Sequence, residues 1–460
     1  MASPRMVMVK KTVPERDKEL PMGRRTEKGR EKQAGAVVAE IGDRAAQALL
    51  PMMMGLVAAK EDLLGFMQAM GHEAVERLFS AEVESLVGPA KKHQKDRQRY
   101  RWGSAPAEVT LGGRRVTLRR PRVRECGDES AGRGGREIGL RSVSQFQSED
   151  PLPERALEQM LLGISARKYE RSLEPVPGEW KPHGVSKSAA SRHVVAQTRK
   201  KVVDLLRRRL DDVSVVALMM DGVEIAKHTV VVALGITAEG DKLPLGLEVG
   251  STENAALCIS LLQGLLDRGL TVDGRVLCVI DGAKGLRRAI EDVLGDMAVV
   301  QRCQAHKRRN VQRLIPERCH AYVKRAMNEA YAASSADAAR KQLKRLVEWL
   351  ERDGHDAAAA SLQEGLEETL TVNKLGLSGS LRAFFATTNA IENLIGTVRD
   401  VSGNVKRWRK GDMVKRWAGI GLVQAHKRFR RIRGHRGMST LVNALRPGAP
   451  TPVDKEQRVA

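Results

Sequence analysis

Two carboxylates in this sequence share a local context that suits chemistry. Asp221 follows the apolar run Val215 to Met220 and precedes Gly222; Asp281 follows the run Arg275 to Ile280 and precedes Gly282. Apolar runs of that length read as buried strands. If the two strands lie side by side and parallel, both carboxylates emerge at one edge of the sheet, where sites in open α/β sheets form. Adjacent carboxylates repel unless a cation sits between them. Hard oxygen ligands of this kind select Mg2+ or Mn2+. The plain alternative is that each Asp-Gly ends its strand with a turn.

A third carboxylate, Glu392, lies in Thr387-Thr388-Asn389-Ala390-Ile391-Glu392-Asn393-Leu394. Ile391, Leu394, Ile395 and Val398 make the apolar face of a helix, with Glu392 flanking it. Arg399 lies two turns down the same side. Asn389-x-x-Glu392 also fits a capping box, in which the Glu reaches back to the N-cap amide. Cys303-x-x-His306 admits three readings: a buried pair supporting the core, a phosphate contact by His306, or, with Cys319 and His320, a zinc site. Adjacent Cys319 and His320 can hardly both reach one tetrahedral ion, which disfavours zinc. Trp349 either packs in a helical core or stacks on a base.

These residues need a scaffold, and the chain is long enough to supply one. It has 460 residues, 42% hydrophobic and only 3% aromatic, so cores must rest on Leu, Val, Ala and Met. No uncharged apolar stretch reaches the roughly 20 residues of a spanning helix; the longest, Ala45 to Ala59, contains Pro51. The N-terminus lacks a signal-peptide core. Five cysteines argue against a disulfide framework and for a reducing cytoplasm.

The net charge is +23, from 79 Lys+Arg against 56 Asp+Glu. Residues 91–124 carry twelve Lys/Arg and two acids; residues 399–436 carry thirteen and two. The reading is a near-neutral scaffold with two cationic arms. Such charge points to nucleic acid, bound through counterion release.

The expected organisation runs as follows. Residues 1–35 form a disordered basic arm, and 36–90 a helical region with Leu63, Leu64, Met67 and Met70 on one face. Residues 91–150 hold a basic hairpin, turning at Gly112-Gly113, and a Gly/Ser-rich linker from 126. Its Arg114, Arg115, Arg119, Arg120, Arg122 and Arg124 suit a ribbon lying on DNA. Residues 151–205 hold helices Glu158 to Leu173 and Ser186 to Lys200. They read as helix-turn-helix-like, with Lys187, Ser188, Ser191 and Arg192 as reading residues, or else as ordinary capped surface helices. Residues 206–318 alternate as three strands, helix, strand, helix, strand. A helical insertion spans 319–374. Residues 375–400 carry Glu392, and 401–460 form a basic helical region. There Lys406, Arg407, Arg409, Lys410, Lys415 and Arg416 interleave with Trp408 and Trp417 and are candidate DNA contacts.

Taken together, Asp221-Gly222, the run Val279 to Gly285, the run Arg302 to Lys307 and the run Thr387 to Leu394, followed by Arg399, resemble the Mutator-type transposases of bacterial insertion sequences. The resemblance implies an α/β catalytic core, an RNase H-like mixed sheet interrupted by an all-helical insertion, preceded by helical and β-hairpin DNA-binding regions. It implies a DDE triad of Asp221, Asp281 and Glu392 holding two Mg2+ (or Mn2+) ions, with Cys303, His306 and Arg399 supporting the core or touching phosphate. Water would cut a strand at the element end, and the freed 3′-OH would attack target DNA. Family members join one element end beside the other, giving a circular intermediate. Partners would be double-stranded DNA and a second copy, as a homodimer on DNA, with no membrane. A non-catalytic DNA-binding regulator, and an RNase H-like nuclease that cuts without joining, are the alternatives.

Overall fold

The computed structural model describes residues 63–92, 98–127, 135–148, 151–173, 183–252, 254–272, 274–409 and 411–446. The expected arm over 1–35 and Lys410 lie outside them, as do the side chains of Leu63, Leu64 and Met67.

Helix α1 (Leu63–Val87) packs on a three-stranded sheet of β1 (Arg99–Leu111), β2 (Arg114–Glu125) and β3 (Glu137–Ile138). Leu111 pairs with Arg114 across Gly112 and Gly113, both at positive φ. This is the two-residue turn whose twist matches its strands. Strand alternation turns Ala107, Val109, Val116 and Leu118 to one face, buried with Val123 against Val75, Phe79 and Val83 of α1. Helix α2 (Arg141–Ser148) adds Val143 to that core. The expected linker over 126–150 is therefore partly structural: its apolar residues find a ribbon face to cover.

Helices α3 (Leu152–Leu161) and α4 (Lys187–Arg207) pack through Leu152, Ala156 and Leu157 against Ala190 and Val194. The expected helix Glu158 to Leu173 does not form. The chain leaves the helix after Leu161, and Gly163 takes φ +94°, a conformation that ends helices. Residues 162–186 separate α3 from α4, far more than the turn of a compact helix-turn-helix. Ser186 caps α4 as expected, accepting from the Ala189 amide at 3.3 Å.

The central sheet holds β4 (Val215–Ile225), β5 (His228–Thr237), β6 (Lys242–Gly250), β7 (Val276–Ile280) and β8 (Ala298–Arg302), in the order β6-β5-β4-β7-β8. The first three pair antiparallel, as short links require. β7 returns parallel to β4 after α5 (Ala255–Asp267), and β8 parallel to β7 after α6 (Lys284–Leu294). One face is covered by Leu261, Leu262 and Leu265 of α5 with Leu286, Ala289 and Ile290 of α6.

After β8 the chain enters a helical block: α7 (Gln304–Gln312), α8 (Glu317–Ala332), α9 (Ala336–Arg352), α10 (Asp356–Gln363) and the short α11 (Leu366–Thr369) and α12 (Thr371–Lys374). Its own core includes Val311, Val323, Met327, Leu343, Leu346 and Leu362. Trp349 packs against that core, 4.6 Å from the Tyr322 ring. The chain then returns to the sheet's second face with α13 (Gly379–Phe385), α14 (Asn389–Gly403), α15 (Gly411–Arg428) and α16 (Met438–Leu445). Val414, Ala418, Leu422 and Ala425 of α15 belong to the sheet's core. Neither cationic segment is therefore an arm. Most of their described residues belong to β1 and β2 or to α14, α15 and their flanks, elements that also bury apolar residues. Among the described residues no helix is long and apolar enough to cross a membrane.

Candidate active site

The sheet brings Asp221 and Asp281 together. β4 and β7 pair in parallel as far as Met219 opposite Val279, and Asp221 and Asp281 each follow two residues after that pair, on the same side of the ladder's end. β7 ends at Ile280, and Asp281 is the first residue beyond it. Asp221 differs from expectation: it does not end its strand. β4 continues through Asp221-Gly222 to Ile225, and the hairpin turns at Ala226-Lys227, both at positive φ. Both carboxylates are partly exposed, one on a strand that continues and one where its neighbour has stopped.

Asp281 is held by its turn. Its Oδ1 accepts from the Ala283 amide at 2.8 Å. Gly282 between them sits at φ +103°, and a Cβ there would lie 2.2 Å from Arg302 Nε. Only glycine fits both the backbone and the guanidinium packed over it.

Glu392 arrives from α14, which lays Ile391, Leu394, Ile395 and Val398 into the core. At about 1.5–3 kcal/mol per buried side chain, that face anchors the helix. The capping-box reading does not hold: the N-cap is Thr388, not Asn389, and no side chain caps it. The carboxylate instead accepts from Thr388 Oγ1 at 2.7 Å, with His306 Nε2 3.8 Å away. Thr388, fully buried, also lies 3.4 Å from Cys303 Sγ and 3.3 Å from His306 Nδ1. Cys303 caps α7, its sulfur accepting from the His306 amide at 3.5 Å. The Cys303 amide donates to the Ile280 carbonyl at 2.8 Å. The end of β7, the start of α7 and the start of α14 thus meet at Cys303.

The electrostatics agree with this convergence. Contact with Cys303 raises the His306 imidazole pKa against the opposing effect of burial, and the Glu392 and Asp281 carboxylates push the same way. Burial pushes the Cys303 thiol up, but hydrogen bonds with His306 and Thr388 prevail and hold it below its ordinary value. One imidazole therefore feels two carboxylates that lie 111 positions apart in the chain.

The run Arg302 to Lys307 divides between two tasks. Cys303 and His306 face Glu392. The others fasten the helical block. Lys307, 1% exposed, donates to the Ser361 carbonyl at 2.7 Å and to Glu364 at the end of α10, where a cation suits the helix dipole. Arg302 reaches both Glu364 carboxylate oxygens at 3.1 Å. Gln304 donates to the Thr369 carbonyl at 2.8 Å. Thr388, Lys307 and Glu364 were not singled out by spacing. Thr388 sits within a recognisable run, but nothing local marks its hydroxyl as a partner of Glu392.

The remaining candidates are spread over several surfaces. Arg114 is buried. Arg115 lies 3.8 Å from Glu108, and Arg119 donates to Ser104 Oγ at 2.9 Å. Arg120 and Arg122 converge on Glu137 at 3.5 and 3.0 Å, and the Arg122 hydrogen bond holds that carboxyl below its usual range. The Arg124 guanidinium lies 4.3 Å over the exposed Trp102 ring. Lys187, Ser188, Ser191 and Arg192 are exposed on the first turns of α4. Arg399 is exposed on α14, and Lys406, Arg407 and Arg409 are exposed in the segment after it. Lys415 pairs with Glu248 at 3.2 Å. Arg416 is half-buried, and burial lowers its pKa.

Residues 49–431 match the model of the transposase family described as Mutator. The transposase for insertion sequence element IS256 in transposon Tn4001 of Staphylococcus aureus is 25% identical over 374 residues, covering 78% of this chain and 88% of that one. The IS6120 transposase of Mycolicibacterium smegmatis is 29% identical over 248 residues, 52% of this chain and 73% of that protein. The IS1081 transposase of Mycobacterium tuberculosis is 26% identical over 312 residues, 64% and 69% of the two chains. A match running from α1 to the end of α15, through every element that carries a candidate carboxylate, leaves one assignment: the chain belongs to the Mutator family of transposases.

Proposed function

We propose that this chain is a DNA transposase that binds the terminal inverted repeats of its element, cuts a strand to free a 3′-OH, and transfers it to target DNA. The observation that carries this reading is the convergence on His306, which lies 3.8 Å from Glu392 and feels the Asp281 carboxylate, with β4, the strand of Asp221, running parallel beside the strand that ends just before Asp281. We read the core as RNase H-like, on the strand order and on the return of α14 to the sheet after a helical insertion.

Asp221, Asp281 and Glu392 form an all-oxygen donor set, which fits Mg2+ or Mn2+. Two such ions, when bound, would activate the attacking oxygen and stabilise the leaving one. The chain's own part is to hold three carboxylates in place and to supply cations for the DNA backbone. In the first step a water oxygen bonds to phosphorus and the P–O3′ bond at the element end breaks; the water gives a proton to solvent and the departing 3′-oxygen takes one up, leaving a 3′-OH. In the second, the freed 3′-oxygen loses its proton to solvent and bonds to a target phosphorus, the target's P–O3′ bond breaks, and the departing target 3′-oxygen takes up a proton. No protein–DNA covalent bond forms.

Thr388 acts as a positioning residue. Thr388→Val keeps the shape and removes the hydroxyl, so the Glu392 carboxylate loses its 2.7 Å donor. Cleavage should slow about 10- to 100-fold, the usual cost of a lost supporting partner. DNA affinity should hold, and Thr388→Ser should recover most of the rate. An unchanged rate in the Val variant would remove Thr388 from the machinery.

The ribbon, the N-terminal turns of α4 and the exposed cations after α14 are the proposed DNA contacts, with two copies holding two element ends in the cytoplasm. The deciding experiment is strand joining by the full chain on its own flanking DNA, with Mg2+ or with EDTA. Joined product that requires Mg2+ supports the transposase. Nicked product alone favours a nuclease. Binding without cleavage in every condition favours a regulator.

A further inference from the structure

We propose that Cys319, Asp353 and His355 form a second metal site, for a thiolate-binding divalent cation of the zinc class, within the helical block. The sequence places His320 beside Cys319, but the fold sends that imidazole to the Ile315 carbonyl at 3.1 Å. Cys303 and His306 are occupied with Thr388 and Glu392. Cys319 meets a different histidine. Its Sγ lies 4.0 Å from His355 Nε2, and that nitrogen lies 3.1 Å from Asp353 Oδ2. All three ligand atoms fall within 4.8 Å of one another.

Zinc–sulfur and zinc–nitrogen bonds of about 2.3 and 2.0 Å at tetrahedral angles separate ligand atoms by roughly 3.3–3.6 Å. The Sγ–Nε2 and Nε2–Oδ2 spacings of 4.0 and 3.1 Å bracket that range, and the third pair lies within 4.8 Å, so side-chain rotation toward a shared ion would close the set. The proton count points the same way. Nε2 carries at most one hydrogen and can satisfy either the Asp353 carboxylate or the Cys319 sulfur, while one cation satisfies all three atoms. Binding would release the thiol proton and any proton on Nε2 to solvent.

The ligands are already held in place by helix ends. Cys319 lies in the first turn of α8, its amide bonded to the Pro316 carbonyl at 2.9 Å. The Asp353 amide closes the end of α9 on the Trp349 carbonyl at 3.0 Å. The His355 carbonyl starts α10, accepting from the Ala358 and Ala359 amides at 2.9 and 3.0 Å. Cys319 is buried, while the Asp353 side chain is 47% exposed, which leaves water the fourth position. A thiolate and an imidazole select zinc over magnesium, so the two sites would sort their metals by ligand type. The zinc-class ion would clamp the start of α8 to the turn between α9 and α10, the same α10 whose far end Lys307 holds.

The test uses the metal-stripped full chain titrated with Co2+, read by the sulfur-to-cobalt charge-transfer absorption that only a thiolate ligand produces. One equivalent should bind with that band, and Zn2+ should displace it. Cys319→Ser should abolish the band, and Cys303→Ser should keep it. Asp353→Asn changes a half-exposed side chain and should fold; it should weaken Co2+ binding about ten-fold or more. No band in the wild type, a band that survives Cys319→Ser, a band lost in Cys303→Ser, or full affinity in Asp353→Asn would each overturn the site. None of these readings depends on transposition.

Discussion

Asp281→Asn should lower strand joining about a thousand-fold while DNA affinity stays near that of the wild type. The substitution is almost silent in shape. Asp281 Oδ1 accepts from the Ala283 amide at 2.8 Å, and an Asn oxygen can accept the same bond, so the turn after β7 survives. What goes is one negative charge from a set of three. Removing one preorganised electrostatic group from an active site costs about 10²–10³ in rate, and a carboxylate proposed to share in holding cations belongs at the upper end. The cations proposed to contact DNA lie on the ribbon, on α4 and after α14, so binding should persist. The measurement is single-turnover cleavage and joining on element ends, beside a gel-shift titration. Full joining by the variant would sink the triad; loss of binding in step with joining would mean that Asp281 supports the fold and not the chemistry.

Gly282→Ala should be nearly as damaging, through geometry and not charge. A side chain at φ +103° carries roughly 1–3 kcal/mol of backbone strain. The new Cβ would also lie 2.2 Å from Arg302 Nε, and overpacking costs about 1–3 kcal/mol more. The chain can escape only by moving the turn that carries Asp281 or by pushing Arg302 off Glu364. A displacement of about 1 Å at a reacting group costs on the order of 100-fold in rate, so both melting temperature and joining rate should fall. Adding Arg302→Ala should relieve the overlap but not the strain, so the double variant should lose less than the two single losses together. A Gly282→Ala protein with wild-type melting and joining would show that this turn needs no glycine.

The run from Arg302 to Lys307 illustrates why a motif can be found without its workings being read. Six consecutive residues look like one unit. In the fold, Cys303 and His306 face Glu392 while Arg302, Gln304 and Lys307 bind the helical block. The reason is local geometry: Arg302 ends β8 and Cys303 caps the helix, and from there residues at i and i+3 share a face, Cys303 with His306 and Gln304 with Lys307. Periodicity reveals that there are two faces, but not what each will meet. Glu392 is a similar case. Its spacing from Asn389 satisfies a local capping pattern, yet Thr388 and His306 take the carboxylate.

The sequence by itself determined the strands and most helices of the core, the Gly112-Gly113 turn and the concentration of charge. Those follow from composition and short-range period, because each apolar run must be buried and each element has one spacing that buries it. Only the tertiary structure decided the rest. It carried β4 past Asp221 to a turn at Ala226-Lys227. It turned Arg114 inward and set Arg120 and Arg122 on Glu137. It moved Cys319 from its neighbour His320 to His355, 36 residues away. Polar side chains take the partner that packing brings within hydrogen-bond reach. That partner lies on another element, at a sequence distance that no local pattern encodes.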